Sequence, residues 1–276
     1  MRRQQLGRSG LMVAPWAFGG NVFGWTVDQA TAFRLLDAFV DRGFNLIDTA
    51  DVYPPGHPTG ESEAIIGAWL AQGGGRREKV VLATKFGVPT GDGHGLSRAY
   101  MMGAVERALK RLRTDVIDLC QAHVDDPSTP LEETLTAFGE LIRAGKVRAV
   151  GASNYTAPRL AEALKISRDK NLPPYATLQP WYNLYDRDLF EGPLQELTRA
   201  EGLGVIAYFG LASGFLSGKY RREADLAGAP RAYRVKDMMN SRGMRILKAV
   251  DEACRALGAK PAQVALAWLR AKGCVP

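Results

Sequence analysis

The chain has 276 residues, 46% hydrophobic and 24% charged, the balance of a globular protein that builds its core without staples. Its net charge of +7 is dispersed. The densest basic group, Arg107, Lys110, Arg111 and Arg113, follows helical spacing beside Glu106 with no interleaved aromatics, so it reads as a solvated helix face and not as a nucleic-acid surface. No run of about 18 apolar residues occurs, no apolar leader follows Arg2 and Arg3, and Cys120, Cys254 and Cys274 fit neither a metal spacing nor a disulfide framework, so a cytoplasmic protein that crosses no membrane is expected.

From the N-terminus, the segment QQLGRSGLMVA predicts a short hairpin around Gly7–Gly10. Short apolar runs then recur at Val13–Phe18, Phe44–Thr49, Val80–Lys85, Val116–His123, Val147–Ser153, Ala176–Trp181 and Val205–Phe209, and an eighth begins near Cys274. Between them lie amphipathic stretches at Asp28–Arg42, Glu61–Gln72, Ser97–Leu112, Leu131–Ala144, Pro158–Lys170 and Ser241–Leu257. In the first of these, Ala32, Leu35, Leu36, Phe39 and Val40 share one face, the 3.6-residue pattern of a helix packed on a core. Gly43, Gly145, Gly202 and Gly258 stand where such helices stop.

Strand and helix alternating about every 30 residues predict a parallel α/β sheet, and seven or eight such units favour closure into a (β/α)8 TIM barrel. No linker interrupts the chain, so a single barrel domain over residues 1–276 is expected. The helical stretch Pro261–Lys272 is followed by only four residues, too few for a strand and its covering helix. The last strand and C-terminal helix are therefore expected to be incomplete here, with Pro276 not the natural terminus.

In a barrel of this kind reactive side chains sit where strands end in βα loops. The second run ends in Asp48 and leads to Tyr53; later runs end in Lys85, in His123 and in Ser153-Asn154, while Gln179 and Tyr208 lie in the sixth and seventh. Each alone has an ordinary explanation, such as a loop hydrogen bond or a core histidine. Together on one rim they have a coherent chemistry. Reduction of a carbonyl needs a hydride at carbon and a proton at oxygen. A tyrosine can give that proton, but its reference pKa of about 10 makes it sluggish near neutrality. An adjacent Lys85 ammonium would lower that value, Asp48 would hold the lysine, and His123 could donate a hydrogen bond to the carbonyl oxygen.

The segments IDTADVY (Ile47–Tyr53), LATKFG (Leu82–Gly87), LCQAH (Leu119–His123), GASN (Gly151–Asn154), LQPWYNLYDR (Leu178–Arg187) and AYFGLASGFLSGKY (Ala207–Tyr220) resemble those of the aldo-keto reductases, in the family's order. The resemblance implies that Asp48, Tyr53, Lys85 and His123 form a catalytic tetrad. It implies that Ser153, Asn154 and Gln179 hold the nicotinamide carboxamide and that Tyr208 stacks on its ring. Leu211, Ser213 and Lys219 would line the pyrophosphate path, and Gly20 and Asn21 would border the cofactor near the first strand. Three departures stand out: Val124-Asp125-Asp126 after His123 lacks a proline common in the family, Phe209-Gly210 replaces Ser-Pro, and the adenosine-gripping tail is absent.

The expected activity is NADPH-dependent reduction of aldehydes or ketones, with NADH as the alternative cofactor and Trp25 and Trp181 forming an aromatic mouth for a small carbonyl substrate. A monomer or weak homo-oligomer is expected, with no nucleic acid and no membrane as partner. The rival expectation is a nicotinamide-binding sensor or regulatory subunit with little turnover. Gly91–Gly95 and Gly214–Lys219 are glycine-rich but lack phosphate-loop spacing, and His57 and His94 gather no metal set.

Overall fold

In the computed structural model, which describes residues 2–276, Leu6 N–H donates to Leu11 O across the predicted turn, and β1 (Gln4–Gln5) pairs antiparallel with β2 (Met12–Val13). The first apolar run is thus divided: its start closes the hairpin, and β3 (Ala17–Gly19) opens the main sheet. Asn45 ties the two together, its side chain accepting from Ala14 N–H and donating to Met12 O.

The described chain falls into two compact units, the first comprising residues up to Leu178 with Leu197–Gly204, the second Gln179–Glu196 with Val205–Pro276. In the first, α1 (Gln29–Asp41), β4 (Leu46–Asp48), α2 (Glu61–Leu70), α3 (Arg76–Lys79), β5 (Val81–Phe86), α4 (Arg98–Leu112), β6 (Ile117–Ala122), α5 (Leu131–Arg143), β7 (Val147–Ser153) and α6 (Ala157–Lys170) follow one another. The strands stand in sheet order β3-β4-β5-β6-β7, continued by β8 (Thr177–Gln179) and β9 (Gly204–Val205), and β3 to β7 pair in parallel. Sheet order equal to chain order, with intervening helices, is the α/β topology of a (β/α)8 barrel. β5 and β6 are buried at every position, as continuous apolar runs covered on both faces require.

Local chemistry places the helices. Asp28, Ser97 and Thr156 cap α1, α4 and α6, each side chain accepting from a backbone N–H three residues on. Gly67 lets α2 and α4 approach: a Cβ there would lie 2.0 Å from Arg111 O.

The second unit adds helices that the sequence patterns left unassigned to the two they predicted at Ser241–Leu257 and from Pro261 onward. α7 (Pro193–Ala200) spans both units, and α8 (Ala232–Met238), α9 (Ser241–Leu257) and α10 (Pro261–Ala271) follow two 3₁₀ turns at Ala212–Ser217 and Glu223–Leu226. Ala212, Phe215, Leu216, Tyr220, Val235 and Leu247 form its buried core. The four residues after the helical stretch do pair: Val275 N–H donates to Val205 O and Val275 O accepts from Ala207 N–H, both at 2.8 Å. An eighth strand therefore begins near Cys274, as expected, with a single bridge between Ile206 and Val275.

Candidate active site

Asp48 closes β4 and Lys85 lies within β5, the next strand of the sheet. Lys85 is 1% exposed. Its Nζ donates to Asp48 Oδ2 at 2.8 Å and to Thr49 O at 2.6 Å, and sits 5.0 Å from the Tyr53 ring centroid. Burial pulls the ammonium's pKa down, but the charges of Asp48 and Tyr53 outweigh it and hold the value above that of a free lysine. Gln121 Nε2 donates to the second Asp48 oxygen at 3.4 Å.

Tyr53 sits in the β4–α2 loop, its N–H on Ala50 O and its carbonyl taking Ser62 N–H. The sequence reading has Lys85 lowering the phenol's pKa, and the ammonium does act in that direction. Burial is the larger influence, however, and Asp48 adds to it, so the phenol of the free protein stands above its ordinary value. The correction is one of balance: a desolvated phenolate costs more than one ammonium returns.

His123 follows β6 directly, its N–H on Phe86 O, and its ring meets Tyr53 edge-on at 5.7 Å. Burial, then the Lys85 charge, pushes its pKa down to about 3, so the imidazole is neutral near pH 7. Its Nδ1 is buried without a hydrogen-bond partner, as is Gln121 Oε1. Asn154, at φ 58°, donates from Nδ2 to His123 O and to Ser153 Oγ. The structure thus brings Asp48, Tyr53, Lys85, His123, Ser153 and Asn154 together at the ends of β4 to β7.

Gly20 N–H donates to Asp48 O, and a Cβ at Gly20 would lie 2.8 Å from Ser62 Oγ, so this position is set by packing against α2. Asn21 follows it, half-buried. Trp25, 41% exposed, lies in the loop before α1 and lines an open groove with Glu61, Ala64, Ile65 and Ala68 of α2.

A charged layer behind the tetrad escaped the sequence reading. Glu63 on α2 is fully buried; it accepts from Arg111 Nε at 2.7 Å and from Thr84 Oγ1 at 2.5 Å, next to Lys85 in β5. Arg111 is therefore not on a solvated face: its side chain is 18% exposed, packs over Gly60 and also pairs with Asp92. Asp51 lies beside this layer, 4% exposed, with Oδ1 lacking any partner. Gln121 had a readable signal, since it stands two residues before His123 and a strand's side chains alternate.

In the second unit Trp181 and Tyr208 are joined by a backbone bridge, and Tyr208, Phe209 and Trp181 form a ring cluster with centroids 5.0 to 6.0 Å apart. The Phe209 departure is thus absorbed by stacking, and Arg234 lies over the Trp181 and Phe209 rings. Gln179 is buried at the end of β8. Beyond Leu211 the chain turns through positive φ at Ala212, Ser213 and Gly214, leaving Ser213 Oγ buried without a partner and Lys219 folded against the turn. Among the described residues no three His, Cys, Asp or Glu side chains gather for a metal, and no helix is long and apolar enough to cross a membrane.

Asp48, Tyr53, Lys85 and His123 thus stand together at the ends of parallel strands of an α/β fold. The profile of the "Aldo/keto reductase family" matches residues 15–276. The chain is 40% identical over 278 residues to "Uncharacterized oxidoreductase YrpG" of Bacillus subtilis (strain 168), covering 98% of this chain and 84% of that protein. It is 34% identical over 299 residues to "Protein tas" of Escherichia coli (strain K12), covering 98% and 86%. It is 34% identical over 278 residues to "Probable voltage-gated potassium channel subunit beta" of Oryza sativa subsp. japonica, covering 97% and 83%. The chain belongs to the aldo/keto reductase family.

Proposed function

We propose that the protein reduces aldehyde or ketone carbonyls with NADPH, using Tyr53 as general acid. The observation that carries this reading is the buried Lys85 ammonium, fixed by Asp48 and Thr49 against the Tyr53 ring. When bound, the nicotinamide supplies the hydride to the carbonyl carbon.

The rest is work for side chains. Tyr53 gives its phenol proton to the carbonyl oxygen. The phenolate left behind is stabilised by Lys85, whose charge is kept in place by Asp48 and, through Asp48, by Gln121. Neutral His123 donates an N–H to the same carbonyl oxygen and adds no charge of its own. On the family resemblance, Ser153, Asn154, Gln179 and Tyr208 are assigned to the nicotinamide. Gly20 and Asn21 border it, and Leu211, Ser213 and Lys219 take the phosphates. The orphaned Ser213 hydroxyl in a left-handed turn supports that last assignment. Trp181 is assigned to the substrate mouth and Trp25 to its rim. NADPH is preferred over NADH on the family resemblance.

Replacing Tyr53 by Phe removes the proton but little of the binding surface. Turnover should fall by orders of magnitude while NADPH affinity, read by fluorescence, stays within about threefold. Unchanged turnover in that variant would refute the mechanism. The potassium-channel subunit among the relatives favours a second reading, a nicotinamide-binding regulatory subunit. NADPH binding without turnover on a broad aldehyde and ketone panel would favour it.

A further inference from the structure

Asp51 has no role in the mechanism above, yet its placement is costly. It lies between Asp48 and Tyr53, its N–H donating to Lys85 O at 3.0 Å and its carbonyl accepting from Gly60 N–H, so both ends of its peptide are fixed. The carboxyl is 4% exposed, Oδ1 has no hydrogen-bond partner, and no cation lies within ion-pair distance among the described residues. A buried carboxyl with one oxygen unpartnered and no ion pair is expensive unless it is protonated. A purely structural position would be filled as well by an apolar side chain.

The groups facing it come from every neighbouring element. They are Glu63 on α2, Lys85 in β5, Arg111 and Tyr100 on α4, Cys120 in β6, and Tyr53 in its own loop. Burial first and Glu63 second raise its carboxyl to about 7, against the pull of Arg111, the Val52 N–H and Lys85. It is therefore divided between a neutral and an anionic form at physiological pH. The anionic form adds to the forces that raise the Tyr53 phenol.

We propose that Asp51 is a positioning residue of the same site, whose charge state sets how readily Tyr53 releases its proton to the substrate. This rests on Tyr53 being the acid. With Asp51 neutral, a phenolate forms opposite Lys85 without a second negative neighbour. With Asp51 ionised, the phenolate is opposed and the proton is held more tightly. Carbonyl reduction should therefore slow as pH rises through neutrality, by about three- to tenfold, because an ionised Asp51 opposes the phenolate and part of that opposition reaches the rate.

The test is the pH profile of kcat/KM for carbonyl reduction by wild type, Asp51→Asn and Glu63→Gln. Wild type should show an inflection near pH 7 that Asp51→Asn lacks, the variant keeping its low-pH rate above neutrality. Glu63→Gln removes a repelling charge and frees Arg111, so its inflection should move to lower pH. Infrared difference spectra of wild type against Asp51→Asn should show a protonated carboxyl band vanishing across the same pH range, a readout independent of turnover. Superimposable profiles for wild type and Asp51→Asn, or a carboxyl already ionised at pH 5, would overturn the proposal. If no carbonyl is reduced by any of the proteins, the general-acid reading falls first and the proposal falls with it.

Discussion

Removing Arg111 isolates a buried charge. Glu63 is fully buried, and its carboxylate is held by Arg111 Nε on one oxygen and Thr84 Oγ1 on the other. In Arg111→Met the aliphatic stem is largely kept and the guanidinium is lost, leaving the carboxylate with one neutral donor. Breaking one side of a buried pair costs about 3–5 kcal/mol, a large share of the stability of an ordinary domain. Burial already raises the Glu63 carboxyl in the intact protein. Without Arg111 it rises further above its unfolded value. The sign follows: a carboxyl whose folded value is raised contributes stability that is complete below the unfolded value and lost as pH rises through the folded one. The deficit should therefore be small near pH 4.5 and full at pH 8. Urea unfolding of wild type, Arg111→Met and Arg111→Met/Glu63→Gln at both pH values measures it. The double variant should recover most of the loss at pH 8, since neither charge of the pair remains. A loss below about 1 kcal/mol at pH 8, or an equal loss at both pH values, would refute the reasoning.

Gly67→Ala should destabilise by about 3 kcal/mol or more, because its Cβ would meet the Arg111 carbonyl at 2.0 Å and neither helix backbone can yield cheaply; thermal unfolding would show it, and a gain in melting temperature would contradict it. His123, held at about 3, should show no ring titration by NMR between pH 5 and 8, and a shift in that window would place a proton on the imidazole that the buried Lys85 forbids.

The alternation of apolar runs and helical stretches was legible because the runs are continuous and three of the helices open on a capping Asp28, Ser97 or Thr156. Asp48, Lys85 and His123 could be picked out as polar side chains at the ends of buried strands. Glu63 and Arg111 could not: each sits on a helix whose polar positions look solvated, and only the meeting of α2 and α4 at Gly67 shows that they face inward. The residues between Tyr208 and Asn240 were also opaque. Their path depends on positive φ at Phe209, Ala212 and Ser213, residues that do not announce such a turn as glycine would.

A site that handles aldehydes must avoid trapping them, for a free amine condenses with an aldehyde to an imine. Lys85 gives no opening for this. Its nitrogen is raised in basicity by Asp48 and Tyr53, so it carries its full complement of protons and has no lone pair to attack with. Its hydrogens are committed to Asp48 and Thr49 and turned toward the Tyr53 ring, and the side chain is sealed from solvent. The same grip that would make the lysine an electrostatic partner of the proposed acid makes it inert toward aldehydes, so in the proposed reaction an electrophile would be reduced beside an amine without being captured by it.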